Sequence, residues 1–166
     1  MNAAVNAFFL ILKLLSLYFL VVSLFSLCKR KMQKSSTTQR RFAVLIAARN
    51  EESCIAGLIE SLLAQNYPSE LFDIWVLPNN CTDHTADAAR HAGGKVLEMP
   101  TSIHSKGAAL QYAANTLLHG SRYYDAFCVF DADNEVDPAF LSEMNQALSR
   151  SAIVKSRILA KNRMQA

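Results

Sequence analysis

The feature that most constrains the fold is a regular alternation of short apolar runs with longer segments of helical periodicity. The apolar runs have the length and composition of strands, and they cover residues 42–47, 72–77, 95–98, 126–130 and 153–159. Between them, apolar residues recur every three or four positions, as at Ile55, Leu58 and Ile59. Thr82 or Asp83 is predicted to cap the helix after the second run, Gly93 and Gly94 to end it, and the Asp137–Pro138 pair to begin the helix after the fourth run. This alternation is typical of parallel strands joined by crossover helices. We therefore predict an α/β fold with a doubly wound, mostly parallel sheet.

Residues 1–28 form a separate, almost wholly apolar segment that is long enough to span a bilayer. Lys13 is its one charged side chain, and the ammonium group could reach toward the nearer interface. A cleaved signal peptide is the alternative, but it needs a basic start and a small-residue cleavage site, which this segment lacks. We therefore expect a transmembrane anchor over 1–28, followed by a basic juxtamembrane linker over 29–41.

Charge and cysteine content narrow the class of protein. The basic residues that follow the apolar segment are Lys29, Arg30, Lys31, Lys34, Arg40 and Arg41. By the positive-inside rule they place the rest of the chain in the cytoplasm. The net charge of +3 is too small to indicate a nucleic-acid partner. The 4 cysteines form no Cys-x-x-Cys pair, which argues against a zinc site and a disulfide framework.

The fourth apolar run leads directly into two carboxylates, Asp131 and Asp133. An unbroken apolar run predicts a strand buried on both faces of the sheet. Parallel sheets bind their ligands at the carboxyl ends of the strands. Two carboxylates there suit a divalent cation, which is usually bound by one or two carboxylates together with substrate phosphates. Taken alone, the Asp-x-Asp spacing is equally compatible with a solvated turn.

Polar residues also follow the first two predicted strands, in the segments 49–51 and 79–83. Amide and carboxylate groups can bind a base and a ribose, and Lys106 could reach a phosphate. The chain has neither a P-loop nor a dinucleotide-type glycine motif. The residues therefore predict a nucleotide-diphosphate ligand held by a metal and a lysine. Simpler roles remain open: helix-start acids for Glu51 and Glu52, and turn residues for 79–80.

Four segments, in this order, resemble the motifs of family 2 glycosyltransferases, which have the GT-A fold. They are residues 42–52, 79–83, 106–110 and 131–134. The resemblance extends over about 42–162, and it is closer to membrane-bound bacterial members that make polysaccharides or glycolipids. It implies transfer of a sugar from a nucleotide-sugar, with a UDP-sugar as the favoured donor, to a polysaccharide or lipid acceptor. Together with the anchor and the basic cluster described above, it predicts a protein of the bacterial inner membrane, single-pass in this chain, with its catalytic part in the cytoplasm.

The resemblance also implies roles for individual residues. Asp133 takes the position of the ligand to Mn²⁺ or Mg²⁺. The positions that contact the nucleotide-sugar are Ala47, Arg49, Glu51, Asn79, Lys106 and Asp131. Asn79 stands where the family usually has aspartate, so a charge beside the donor is replaced by an amide.

Two family features are absent from the segment after Asp133. In the family, the catalytic base and a Gln-x-x-Arg-Trp motif lie well downstream of the metal aspartate, and this segment contains neither. We therefore expect 42–166 to be the donor-binding part of a truncated domain, with its general base absent. A membrane-anchored remnant that at most binds nucleotide is the alternative. A haloacid dehalogenase-type phosphatase is disfavoured, because Glu135 stands where that family has threonine or valine.

Overall fold

The computed structural model describes residues 3–27 and 38–156. The chain divides into two units, Met1–Ser35 and Ser36–Ala166. The described part of the first unit is a helix, α1, over Ala3–Leu27. A helix that crosses a bilayer needs about 20 consecutive, predominantly apolar residues. No helix within the described ranges combines the required length and apolar character, so the predicted anchor over 1–28 is not supported.

The second unit contains an α/β sheet. Its strands are β1 (Phe42–Ala48), β2 (Phe72–Pro78), β3 (Lys95–Val96) and β4 (Ala126–Asp131). Its helices are α2 (Ile55–Leu63), α3 (Thr85–His91), α4 (Lys106–Leu118) and α5 (Phe140–Ala147), with a short 3-10 helix over Ser69–Leu71. All strand pairs are parallel, and the order is β3-β2-β1-β4. The predicted α/β class and parallel sheet are confirmed.

Alternate residues of β1 face two separate cores, one on each side of the sheet. Val44 and Ile46 belong to the core that includes Leu58 of α2. Leu45 belongs to the other core, which includes Leu117 of α4. Because side chains alternate along a strand, the apolar residues of β1 pack against helices on both faces of the sheet. This two-sided burial is what makes the sheet doubly wound.

β4 is an edge strand. Within the described residues it pairs with β1 alone, and Val129 in its middle is 51% exposed. The prediction of a strand buried on both faces is therefore wrong, because the apolar run encodes a strand but not its place in the sheet. A groove of about 1800 Å³ lies beside this edge, between α2, α5 and residues 152–156.

Several element boundaries differ from those predicted. β3 is shorter than the predicted 95–98, and α3 begins at Thr85 rather than directly after Thr82 or Asp83. The Asp137–Pro138 pair lies in a turn before α5, where Asp137 Oδ1 accepts a hydrogen bond from the Ala139 amide at 2.8 Å. Residues 153–156 contain no strand, and 157–159 lie outside the described residues.

The segment 38–41, predicted to be the end of a linker, is bound to the α/β unit. Asn145 is buried, and its side chain donates to the Thr38 carbonyl and accepts from the Arg40 amide, both at 3.1 Å. The Tyr67 hydroxyl donates to the Arg40 carbonyl at 2.8 Å. The Arg41 amide donates to Asp125 Oδ2 at 2.7 Å. These bonds fix the chain directly before β1.

Two glycines end α3, as predicted. The Gly93 amide donates to the Arg90 carbonyl at 3.0 Å, and the Gly94 amide donates to the Ala89 carbonyl at 2.9 Å. This is the Schellman arrangement, which requires a left-handed residue directly after the helix. Gly93 supplies it, with φ of +94°.

Gly93→Ala is expected to lower the free energy of unfolding by about 1 kcal/mol, because a side chain disfavours the left-handed conformation. Gly57→Ala, in α2, is the matched control. A Cβ there meets nothing within 4 Å, so helix propensity should make that variant more stable by about 0.5–1 kcal/mol. Urea denaturation measures both changes. Equal shifts of the same sign would contradict this account of the α3 terminus.

A cluster of charges surrounds the buried carboxylate of Asp73 near the start of β2, at the end of the sheet opposite to the polar loops. Asp73 is 6% exposed. Its carboxylate accepts from Lys95 Nζ at 2.7 Å and from the Tyr124 hydroxyl at 2.6 Å. Arg122 Nε lies 3.0 Å from the same carboxylate. The Trp75 ring nitrogen donates to the Tyr124 hydroxyl at 3.2 Å. The cluster joins β2 and β3 to the segment before β4.

Candidate functional site

The carboxyl ends of β1, β2 and β4 lie at one edge of the sheet. In the strand register, Ala48 pairs with Pro78 and Ala47 pairs with Asp131. β2 and β3 lie on one side of β1, and β4 lies on the other side. Parallel sheets bind ligands in the crevice outside such a switch point. The loops after these three strands therefore begin side by side, as predicted.

Two asparagines brace the first two loops. Asn50 and Asn80 have left-handed backbones, with φ of 57° and 53°. Asn50 Oδ1 accepts from the Thr82 amide at 2.8 Å, which joins the loop after β1 to the loop after β2. Asn80 Nδ2 donates to the Ile103 carbonyl at 2.7 Å. Left-handed non-glycine residues are costly and occur often at functional sites.

Thr85, at the start of α3, was not predicted as a site residue. It is fully buried, and its hydroxyl accepts from the Glu51 amide at 2.9 Å and donates to Asp83 Oδ1 at 2.5 Å. The hydrogen bond from Thr85 is the main reason that the pKa of Asp83 lies below its usual value. Thr85 thus connects the loops after β1 and β2. A threonine near a helix start was the sequence signal for it, but its partner lies 34 residues away in sequence.

Thr85→Val is expected to lower the free energy of unfolding by about 1–3 kcal/mol, because it leaves the Glu51 amide without its partner. Thr85→Ser keeps the hydroxyl and should lose less than half of that amount. Urea denaturation of both variants separates the hydroxyl from the methyl group. If the serine variant were the less stable of the two, packing rather than hydrogen bonding would hold the loops.

Asp131 is in contact with Lys106, another predicted site residue. Lys106 Nζ donates to Asp131 Oδ1, and the side chains are 50% and 61% exposed. Lys106 is the first residue of α4, whose start is capped by Ser105 Oγ accepting from the Ala108 amide at 3.1 Å. The fold therefore brings together opposite charges from two elements that are distant in sequence.

Asp133 has different neighbours. It is exposed and lines the groove beside β4 together with Cys54. The Cys54 thiol donates to Glu51 Oε2 at 3.0 Å. Burial first, then that hydrogen bond and the charges of Glu51 and Asp133, raise the pKa of Cys54 to about 11. Cys54 therefore remains a protonated thiol at neutral pH and is a poor nucleophile.

The remaining predicted positions line the same edge. Asn79 is buried; its amide donates to the Ala48 carbonyl at 2.9 Å, and its Oδ1 accepts from Asn80 Nδ2 at 2.9 Å. Ala47 is partly buried, and Arg49 is exposed. The groove beside β4 includes Asp133 but not Asn79 or Asp131.

The donor groups fit a divalent cation that is bound mainly through a substrate. Asp131 and Asp133 are exposed carboxylates, and Asp131 already contacts a cationic group, the Lys106 ammonium. Within residues 3–27 and 38–156, no three His, Cys, Asp or Glu side chains form a metal site by themselves. Mg²⁺ is commonly held by one or two carboxylates together with substrate phosphates. The two aspartates could hold Mn²⁺ or Mg²⁺ in that way.

The fold and the polar edge define an α/β protein of the class that binds its ligand at the carboxyl ends of parallel strands. Residues 43–164 match the family model described as Glycosyl transferase family 2. The chain therefore belongs to glycosyl transferase family 2, which confirms the identification made from the sequence.

Solved structures of similar fold agree with the family. The mannosyltransferase PcManGT from Pyrobaculum calidifontis, solved in complex with GDP-Man and Mn²⁺, has a TM-score of 0.61 at 20% identity, and the match covers 80% of this chain and 38% of that chain. S. aureus TarS has a TM-score of 0.55 at 21% identity, covering 66% of this chain and 19% of that chain. At these identities the similarity shows the fold, and it confirms the predicted GT-A type.

Curated relatives match a short part of the chain. The beta-monoglucosyldiacylglycerol synthase of Nostoc sp. is 40% identical over 43 residues, which are 26% of this chain and 9% of that protein. The Synechocystis sp. protein of the same name is 29% identical over 51 residues, which are 31% of this chain and 11% of that protein. This chain matches about a tenth of the length of these relatives.

Proposed function

We propose that residues 42–166 bind a nucleotide-sugar donor, with a UDP-sugar as the favoured donor, for metal-dependent transfer of the sugar to a polysaccharide or lipid acceptor. One observation carries the proposal. The strand register places Ala47, Asp131 and the start of the loop containing Asn79 at one edge of the sheet, at the switch point. Membership of glycosyl transferase family 2 supports the chemistry.

The residues take the following roles in this proposal. Asp133 binds the divalent cation, and Asp131 lies beside the nucleotide. Lys106 supplies a positive charge for the diphosphate. The other nucleotide-sugar contacts come from Ala47, Arg49, Glu51 and Asn79. When bound, Mn²⁺ or Mg²⁺ neutralises charge on the diphosphate leaving group.

Hydrogen bonds between the loops after β1 and β2 support the proposal. Asn50 and Thr85 hold the first loop against the second, so the nucleotide-binding backbone is arranged before the donor arrives. Preorganised polar groups avoid the free-energy cost of reorganising at the moment of reaction. The general base for the acceptor hydroxyl is not assigned to a residue of this chain.

A lipid acceptor is supported by the curated relatives, whose names specify a glucosyl-diacylglycerol product. A polysaccharide acceptor is the other possibility within the proposal. The location at the bacterial inner membrane stays a prediction, which fractionation of cells producing the full chain would test.

Binding of UDP with Mn²⁺ to the full chain tests the proposed donor. We expect the melting temperature to rise with UDP plus Mn²⁺ and to return to the unliganded value with EDTA, since a ligand at 100 times its Kd adds about 2.7 kcal/mol to the free energy of unfolding. Mn²⁺ alone and UDP alone are the controls. No stabilisation by UDP or GDP in the presence of Mn²⁺ would overturn the proposal.

A transfer assay separates an active enzyme from a chain that only binds nucleotide. Radiolabelled UDP-glucose, diacylglycerol vesicles and Mn²⁺ are incubated with the full chain, and labelled lipid and free glucose are measured. Labelled lipid would support transfer to a lipid. Binding without lipid labelling or donor hydrolysis would instead support the nucleotide-binding alternative.

A further inference from the structure

The contact between Lys106 and Asp131 carries a consequence for how metal and nucleotide bind. The carboxylate that the proposed function places beside the nucleotide is already in contact with a cation from the chain itself. Both side chains are about half exposed, at 50% and 61%, so solvent and ligands can reach the pair.

Rigid elements hold both partners. Lys106 begins a helix whose buried face includes Ala109 and Ala113, and whose start is capped by Ser105. Asp131 ends β4 and is paired in register with Ala47. The two backbones are therefore fixed, and only side-chain rotation is needed to break the contact. Rotation of the Lys106 side chain could then carry the ammonium from the carboxylate to a phosphate of a bound nucleotide.

Besides its place by the nucleotide, Asp131 would share the divalent cation with Asp133, so the cation and the Lys106 ammonium would compete for its carboxylate. Lysine carries a compact point charge on a flexible stem, so it can change partner easily. When the diphosphate of a donor arrives, it offers Lys106 a more strongly charged partner and brings phosphate oxygens for the metal. Asp131 would then be free to hold the metal together with Asp133.

We propose that Lys106 is a placeholder cation that occupies Asp131 in the empty site, so that metal binds weakly until the nucleotide draws Lys106 away. This inference rests on the proposed function, because it takes the nucleotide diphosphate as the second partner of Lys106. It makes metal and nucleotide mutually cooperative, since coupling between two ligands is reciprocal.

Mn²⁺ binding without nucleotide is the first test. The free-ion electron paramagnetic resonance signal is titrated with the full chain and with Lys106→Met. Removing the placeholder should tighten Mn²⁺ binding about two- to fivefold, the range expected for an exposed ion pair. Lys106→Arg keeps a cation at the position and should bind Mn²⁺ as the parent does. Arg90→Met removes a cation of similar exposure, 48%, from α3, and controls for net charge.

Unchanged or weaker Mn²⁺ binding in Lys106→Met would overturn the proposed role of Lys106. An equal increase of Mn²⁺ affinity in Arg90→Met would overturn it too. Absence of measurable Mn²⁺ binding to both the parent and Lys106→Met would overturn it as well. These outcomes do not depend on the identity of the nucleotide.

UDP binding at saturating Mn²⁺ is the second test, measured by calorimetry. Lys106→Met should bind UDP more weakly than the parent, although it binds the metal more tightly. A variant that had merely lost structure would bind both UDP and Mn²⁺ more weakly, so weaker UDP binding with tighter Mn²⁺ binding is specific to the proposed role of Lys106. If the parent binds neither UDP nor GDP, the proposed function fails, and the Mn²⁺ titration still decides whether Lys106 competes with metal. Tighter UDP binding in Lys106→Met would overturn the proposal.

Discussion

Asp133→Asn is expected to weaken Mn²⁺-dependent nucleotide binding strongly while leaving the fold intact. Asp133 is exposed, so its substitution should cost little stability. In the proposed site it is the metal ligand, and an amide is a much weaker ligand for a hard divalent cation than a carboxylate. Loss of one charged interaction corresponds to about 1.5–3 kcal/mol. We therefore expect UDP affinity in the presence of Mn²⁺ to fall about 10- to 150-fold.

Calorimetric titration of UDP at fixed Mn²⁺ measures this loss, and urea denaturation checks the fold. Glu143→Gln is the matched control, since it neutralises another exposed acid, on α5. It should leave UDP affinity within about twofold of the parent, as expected for an exposed charge. Equal UDP affinity in Asp133→Asn and Glu143→Gln would remove Asp133 from the metal site.

Asp73→Ala is expected to cost the full chain about 3 kcal/mol of unfolding free energy. Removing one partner of a buried ion pair typically costs about 3–5 kcal/mol. We place the cost of Asp73→Ala at the lower end of this range because the side chains of Lys95 and Arg122 are 48% and 38% exposed, and water can solvate them after the substitution. Asp87→Ala is the control, since Asp87 pairs with Arg90 in an exposed position and should cost about 0–1 kcal/mol.

The same cluster makes stability depend on pH. Burial by itself raises the pKa of Asp73, but hydrogen bonds from Lys95 and Tyr124, followed by the charges of Lys95 and Arg122, more than offset it. The net pKa lies below the usual value. A carboxyl with a lowered folded-state pKa stabilises fully above its unfolded-state pKa of about 3.9, and the contribution is lost as pH falls through the folded-state pKa. The stability difference between parent and Asp73→Asn should therefore shrink below about pH 4. If the stability difference between the two proteins stayed constant down to pH 2, ionisation of Asp73 would not be the source of the stabilisation.

Much of the fold was predictable because the signals for it are local. The apolar run from Phe42 and the helical stripe of Ile55, Leu58 and Ile59 both depend on side-chain period, which neighbouring residues define. The glycines after α3 were predictable for the same reason. The four family motifs added the order in which the polar loops occur.

Boundaries and burial were less predictable because they depend on distant partners. Asp83 was predicted as a possible helix cap, and its Oδ1 does accept from the amide of Thr85, the first residue of α3. Nothing in the sequence indicated that its Oδ2 also accepts from the Glu52 amide in the loop after β1. The run 126–130 has the composition of a central strand, yet its only strand neighbour within the described ranges is β1.

Residue order alone determined which segments become strands and helices, that the strands run parallel, and which loops carry carboxylates, amides and lysine. The reason is that periodicity and crossover connections are properties of contiguous residues. Tertiary structure alone decided that Lys106 meets Asp131, that Thr85 joins two loops, and that β4 lies at an edge. The two side-chain contacts join residues 25 and 34 positions apart in sequence, and β4 pairs with a strand that is more distant still. They exist because packing of the whole sheet fixes where each strand ends.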